Sequence, residues 1–481
     1  MSRQAKTLAD VVKLQQTVEL LSKAVQVVVA EWAKESEHLV AAVNGVSTSS
    51  AKTLPSRELY DAQRTILAAT GMLTELVQEP SVRILEVATQ FQESRALYIA
   101  AERRVADLLA VKDKTGGTPL SEISDHTRIE SRKLSRILRY LTSIGIFKQT
   151  GPETFANNSV SAALVSNGPL RAYVQLVNSE AFSASDRLPR NLLHPVTGPS
   201  YDVTKTAWQD AIQTTKSRWD WIEERVEQEK LLDSGGHYPG IPSVVIEPPP
   251  KGEDGLVARP ELAIMGLAMI GGGRVFGSAH VHDFPWASLG NSLIVDVGGG
   301  VGGFPLQLSM VYPDLRFEVQ DRGPVIKQGL EHVWPKENPQ ALKDGRVKFT
   351  EHSFFEKNPT TGADIYILRL VLHDWSDEYC IKILKGIKDS MATKSRLLII
   401  EQVMNTTLGS PDLQSAPAPL PANYGCYTRF SHSRDITMMA SINGIERTPD
   451  EFRKLLDAAG LNFKKIWNVR SQMSLIEAIL Q

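Results

Sequence analysis

The run VDVGGGVGG, from Val295 to Gly303, constrains this chain more than any other feature. A short β-branched stretch, SLIV, leads into it and reads as a buried strand. Asp296, Gly298, Gly300 and Gly302 then fall at alternate positions. Glycine tolerates positive φ and has no Cβ, so a chain turning here can approach a ligand closely and aim backbone N–H groups at it. Asp321 follows a second strand-like run, RFEVQ, about twenty residues on. A carboxylate there accepts hydrogen bonds from both ribose hydroxyls, so the pair implies a nucleoside-containing ligand. The competing reading is a plain tight turn. The pattern lacks the helix-packing third glycine of GxGxxG, and no GKS or GKT follows. Both absences weigh against nicotinamide and triphosphate ligands and leave S-adenosylmethionine as the better fit.

At 481 residues the chain exceeds one ordinary domain. Its 42% hydrophobic and 22% charged residues describe a packed globular protein. A net charge of −2 supplies no basic field to gather nucleic acid or anionic lipid, so the expected partners are small molecules, with neither nucleic acid nor membrane. Two cysteines, Cys380 and Cys426, rule out a disulfide framework and suit a reducing compartment. The N-terminus lacks an apolar core of the secretory kind, and no stretch reaches the roughly 18 apolar residues of a membrane span. A cytoplasmic location is expected.

Three regions are expected. Residues 1–90 read as a helical extension, with helical periodicity over 8–45 and a polar linker, NGVSTSSAKTLPS. Residues 91–200 contain helix, turn, helix and a two-stranded wing turning near Gly151, a winged-helix pattern. Arg132, Lys133, Arg136 and Arg139 on its second helix invite a DNA-binding reading. Leu134, Ile137, Leu138 and Leu141 form an apolar stripe on the same helix, and no further basic patch supplements it, so scaffolding or dimerisation is the expected use. Residues 201–481 read as an α/β domain with a Pro- and Gly-rich loop insertion at about 235–255. Short β-branched runs alternate there with helices (SLIVDV, RFEVQ, RVKFTEH, ADIYILRLV, RLLIIEQV, then FKKIWNV and SLIEAIL), the mark of a doubly wound, Rossmann-like parallel sheet.

In ILRLVLHDWSDEYC, His373 follows a hydrophobic strand at the end where open sheets place ligands. Glu401 ends the next strand, and burying it calls for a hydrogen-bond donor such as an imidazole. Glu446 lies in NGIERTPDEF beside a helix start, where pairing with Arg447 is the competing structural reading.

The series VDVGGGVGG, QDRGPVI, HSFF, LRLVLHDWSDE, IIEQV and IERTPDEFRKLLDAAG resembles the class I S-adenosylmethionine-dependent O-methyltransferases of plant and fungal secondary metabolism, the caffeic acid type. The match covers about Pro260 to Leu480, and the winged-helix region resembles that family's dimerisation domain. The N-terminal helices point to a fungal, basidiomycete branch. The resemblance implies a homodimer formed through the N-terminal domain, a phenolic methyl acceptor, S-adenosyl-L-homocysteine as product and no metal. It makes His373 the general base, with Glu401 and Glu446 orienting and charging the imidazole. It places Gly298, Gly299 and Gly300 at the methionine end of the cofactor, Asp321 at the ribose, Arg322 over the adenine, Ser353 and Phe354 against the adenine, and Arg369 where the family has a lysine. Ser353 departs from the pattern, which has Asp there. Met269 matches a methionine lining the active site, and Trp219, Trp221, Phe276, Met438 and Met439 are candidate walls of the acceptor pocket.

Two other readings remain at this point. One is a methyltransferase-like pericyclase or dehydratase that uses the sulfonium only as a fixed charge, against which the intact HDW argues. The other is a winged-helix regulator with a vestigial cofactor domain.

Overall fold

The computed structural model describes residues 6–43, 54–112, 116–232, 251–252 and 254–481. The chain divides into two compact units, one of Ile84–Val275 with Met439–Asn443, the other of Met1–Arg83, Phe276–Met438 and Gly444–Gln481.

The Ile84–Val275 unit holds the winged helix. The Leu120–Thr127 helix ends on Arg128 in the left-handed conformation, and the Glu130 carboxylate caps the Ser131–Ser143 helix by accepting from the backbone of Arg132 and Lys133. Leu134, Leu138 and Leu141 are buried along one face of that helix, while Arg132, Lys133, Arg136 and Arg139 are exposed. Strand β1 (Thr118–Pro119) pairs with β3 (Thr154–Asn157), which forms a hairpin with β2 (Phe147–Gly151). Further on, β4 (Arg225–Val226) pairs with β5 (Val257–Ala258), and Arg225 ion-pairs with Asp254. Most of the 235–255 insertion and of the polar linker after residue 43 lies outside the described residues.

The other unit is built on a seven-stranded sheet of β6 (Leu293–Val297), β7 (Arg316–Asp321), β8 (Val347–Glu351), β9 (Ile365–Arg369), β10 (Arg396–Glu401), β11 (Leu461–Trp467) and β12 (Ser474–Leu480), in the order β11-β12-β10-β9-β6-β7-β8. Neighbouring residues on a strand enter different cores. Ile294, Ile367 and Leu398 join Phe304, Phe317 and Trp334 on one face, whereas Val295, Leu368 and Leu397 join Ile383, Leu384 and Leu456 on the other. Both faces are covered, which is why these strands read as unbroken apolar runs rather than alternations. Each such side chain contributes about 1.5–3 kcal/mol on burial.

Strands β6 to β10 are parallel; β11 and β12 run antiparallel to each other, and β12 antiparallel to β10. The sheet is therefore mixed rather than wholly parallel. The connection from Trp467 to Ser474 is too short for the crossover that a parallel neighbour requires, so it closes a hairpin. Strand β6 lies between β7 and β9, the point at which the strand order reverses and at which open sheets bind ligands beyond their carboxyl ends.

The Leu8–Val43 and Arg57–Val77 helices belong to this same unit and pack through Ala24, Val28, Leu59 and Ala62. Tyr60 and Tyr427 share a 3.0 Å hydroxyl–hydroxyl hydrogen bond, and Arg57 donates to Asn468. No described helix is long and apolar enough to cross a membrane. Cys380 is buried and Cys426 exposed, both free.

Candidate active site

The loop after β6 turns through positive φ at Gly298 (+72°), Gly300 (+62°) and Gly302 (+76°). The N–H groups of Gly298 and Gly299 donate to the Gln320 carbonyl at 2.8 and 3.1 Å, and Gly300 N–H donates to Asp321 Oδ2 at 2.8 Å. Asp321 Oδ1 accepts from Arg322 N–H at 2.7 Å, and burial holds its carboxyl above the usual range. A Cβ on Gly298 would stand 2.9 Å from Val371 Cγ2 and 3.4 Å from the Phe354 ring, whereas one on Gly300 would meet nothing within 4 Å. The loop thus packs against the segment after β9 on one side and is open on another. Beneath it, Asp296 Oδ1 and Arg369 Nε are buried with no hydrogen-bond partner among the described residues. Burial pushes Asp296 up to about 7 and draws the Arg369 guanidinium down. Phe354 packs edge-on against Phe355 and Trp375, and Ser353 is exposed.

His373 sits on a short 3-10 turn, Leu372–Asp374, that the chain enters through Leu370 at φ +56°, a left-handed conformation rare for leucine. Arg447 braces that turn. Fully buried, it donates through Nη1 to the Leu372 carbonyl (2.8 Å) and through Nη2 to the Trp375 carbonyl (2.7 Å), and it pairs with Asp377. The pairing of Arg447 with Glu446, open on sequence, is not what forms. Instead Glu446 Oε1 lies 2.9 Å from His373 Nδ1, and Ile445 N–H donates to the His373 carbonyl at 2.8 Å. Thr448 then caps the Pro449–Ala459 helix in a reciprocal box with Glu451. Three consecutive residues, Glu446, Arg447 and Thr448, thus do three separate jobs.

Glu401 is brought into the same cluster but does not hydrogen-bond to the imidazole. Its Oε1 accepts from the backbone N–H groups of Val371 and Leu372, both at 2.9 Å. The ligand atoms of His373, Glu401 and Glu446 all lie within 4.8 Å of one another. Burial works against an imidazolium, yet Glu446, Asp374 and Glu401 outweigh it and raise His373 to about 9. Burial also pushes Glu401 up; for Glu446 the same effect is overcome by His373 and by Arg434, and its carboxyl lies below the usual range. Asp374 Oδ1 is 3.3 Å from His373 Nε2.

Of the candidate pocket walls, Phe276 stacks on Phe430 with ring centroids 5.3 Å apart, and Met438 is half-buried on the Arg429–Ile442 helix. Met269, Trp219, Trp221 and Met439 belong to the other unit. Within it, Trp221 forms core with Trp208 at 5.4 Å, Trp219 packs against the same cluster, and Met269 is exposed. Reading the sequence for motifs missed Arg434, whose Nε lies 3.0 Å from Glu446 Oε1. The signal available was its position midway between Phe430 and Met438 at helical spacing.

A glycine loop at the reversal point of such a sheet, with a histidine after a following strand paired to a buried carboxylate, is the arrangement of a class I methyltransferase. The chain belongs to the O-methyltransferase family and is an S-adenosylmethionine-dependent O-methyltransferase. The model of the O-methyltransferase domain matches residues 286–462, and that of the O-methyltransferase dimerisation domain matches 85–167. The chain is 71% identical to O-methyltransferase tpcA of Aspergillus fumigatus, over 100% of this chain and 98% of that protein. To O-methyltransferase gedA of Aspergillus terreus it is 69% identical, over 100% and 99%. Among solved structures, one described as a pericyclic reaction enzyme shares the fold with a TM-score of 0.63 at 19% identity, over 93% of this chain and 100% of that one.

Proposed function

We propose that this enzyme methylates a phenolic hydroxyl of a small aromatic metabolite, with His373 as general base. The observation that carries the reading is the 2.9 Å contact between His373 Nδ1 and the buried Glu446 carboxylate. With Nδ1–H donating to Glu446, Nε2 keeps its lone pair and takes the phenol proton. Bound S-adenosylmethionine would supply the methyl to the phenol oxygen, its carbon–sulfur bond giving way to the new carbon–oxygen bond with neutral S-adenosylhomocysteine as the leaving group. A phenol with a pKa near 10 is a weak nucleophile when protonated, so proton removal must accompany attack. Glu446 and Asp374 stabilise the imidazolium that results; Glu401 fixes the Val371–Leu372 backbone that carries it.

S-Adenosylmethionine supplies an electrophilic methyl on a sulfonium. The residues present suit it: Asp296 Oδ1 and Arg369 Nε are buried without a hydrogen-bond partner among the described residues, and the amino-acid part of the cofactor carries one ammonium and one carboxylate. Gly298, Gly299 and Gly300 would hold that part, Asp321 the ribose, and Arg322, Ser353 and Phe354 the adenine. Phe276, Phe430 and Met438 would face the acceptor ring. The dimerisation-domain match supports a homodimer. The test is S-adenosylhomocysteine release over a panel of phenols. Release with wild type and its loss in H373N support the reading, and a panel that yields none sinks it.

A further inference from the structure

Arg434 brings a positive charge to the base that proton transfer does not call for. It lies on the Arg429–Ile442 helix with Phe430 four residues before it and Met438 four after, so the three share a face. Nε is held by Glu446 Oε1 at 3.0 Å, and Nη2 stands 3.4 Å from His373 Nδ1. Since Nδ1 already donates to Glu446, the second approach sets donor against donor and is no hydrogen bond. The side chain is 15% exposed, and Nη1 has no hydrogen-bond partner among the described residues.

A guanidinium this close opposes the imidazolium that methyl transfer must create. Nε offsets that cost by keeping Glu446 ionised, which leaves Nη1 as the donor for a partner on the ligand. The stacked Phe276–Phe430 pair, one helical turn away, marks the side from which a planar ring would present it.

We infer that Arg434 is a specificity-determining residue that selects phenols carrying a hydrogen-bond-accepting oxygen, such as a carbonyl or carboxylate, on the carbon next to the reacting hydroxyl. In such a phenol the hydroxyl proton is tied to its neighbour by an internal hydrogen bond. A donor from Nη1 to the neighbouring oxygen competes for it and frees the proton for His373 Nε2. The inference rests on the phenol-methylation reading and names its substrate class.

The test is calorimetric binding of 2′-hydroxyacetophenone, the ring-hydroxylated 2-hydroxy isomer, and of its 4′-hydroxy isomer to the full-length protein saturated with S-adenosylhomocysteine. Wild type should prefer the 2-hydroxy isomer by roughly tenfold or more, as a charge-assisted hydrogen bond gives. R434M should abolish the preference and R434K retain part of it, both with unchanged affinity for S-adenosylhomocysteine as proof of folding. Equal affinities in wild type, a preference that survives R434M, or no measurable binding of the 2-hydroxy isomer overturns the inference. Wild-type protein that shows the preference but never releases S-adenosylhomocysteine from S-adenosylmethionine refutes the methylation reading instead.

Discussion

Glu446 Oε1 lies 2.9 Å from His373 Nδ1, and both side chains are buried. That contact fixes which imidazole nitrogen is free to act, and the surrounding carboxylates set its basicity. Replacing His373 by Asn keeps a polar group of similar reach but removes the titrating nitrogen. Loss of a positioned base costs about 10²–10⁴ in kcat. H373N should fall by that much in S-adenosylhomocysteine release while binding S-adenosylmethionine as wild type does by calorimetry; full activity would remove His373 from the base role.

The pH dependence follows from the same group. As the proposed base His373 would act when neutral, and its pKa in the free protein is raised to about 9. The initial rate should therefore climb with pH, about tenfold per unit below the pKa, and level off above it. A bound sulfonium disfavours the imidazolium, so the midpoint for kcat should lie below that of the free enzyme. E446Q removes a group that raises the pKa and should move the limb to lower pH while lowering the plateau. For stability the sign is opposite: the raised folded-state pKa stabilises the protein fully below about 6.5, and that contribution is lost as pH rises through about 9. Melting temperature should decline over that interval in wild type and less in H373N.

Glu401 is expected to separate from Glu446 in its effects. It holds two backbone N–H groups rather than the imidazole, so E401A leaves both buried donors unpaired, at about 1–3 kcal/mol each. Urea denaturation should show a loss of about 2–6 kcal/mol, with E401Q, which keeps an amide oxygen, recovering much of it. An E401A protein as stable as wild type would contradict this account.

Cofactor affinity should respond at two positions in opposite directions. G298A places a Cβ 2.9 Å from Val371 Cγ2 at φ +72°, and strain plus overpacking of about 2–4 kcal/mol should weaken S-adenosylmethionine binding and stability together. S353D restores a charge at the adenine position implied by the family resemblance. Titration calorimetry should show it binding the cofactor roughly three- to tenfold tighter.

Much of the fold was legible because its signals are local. The winged helix, the strand runs and the glycine turn each follow from residues adjacent in sequence, through periodicity, capping and steric freedom. His373 was legible because it follows an apolar strand directly. The antiparallel final hairpin was less so, since strand direction depends on a connection length and not on the strands themselves. The division of labour between Glu446 and Arg447 was hidden for another reason: their partners, at His373, Leu372 and Trp375, are more than seventy residues away.

By itself the sequence determined that this chain has a glycine-rich strand–loop–helix unit and the residue types of a histidine–carboxylate site, because glycine, β-branched and acidic residues each carry strong local preferences. Which carboxylate holds the imidazole, and that a guanidinium lies against both, only the tertiary structure decided. Hydrogen bonds depend on ångström distances between strand ends and a distant helix, and those distances exist only once the apolar faces of the sheet have packed.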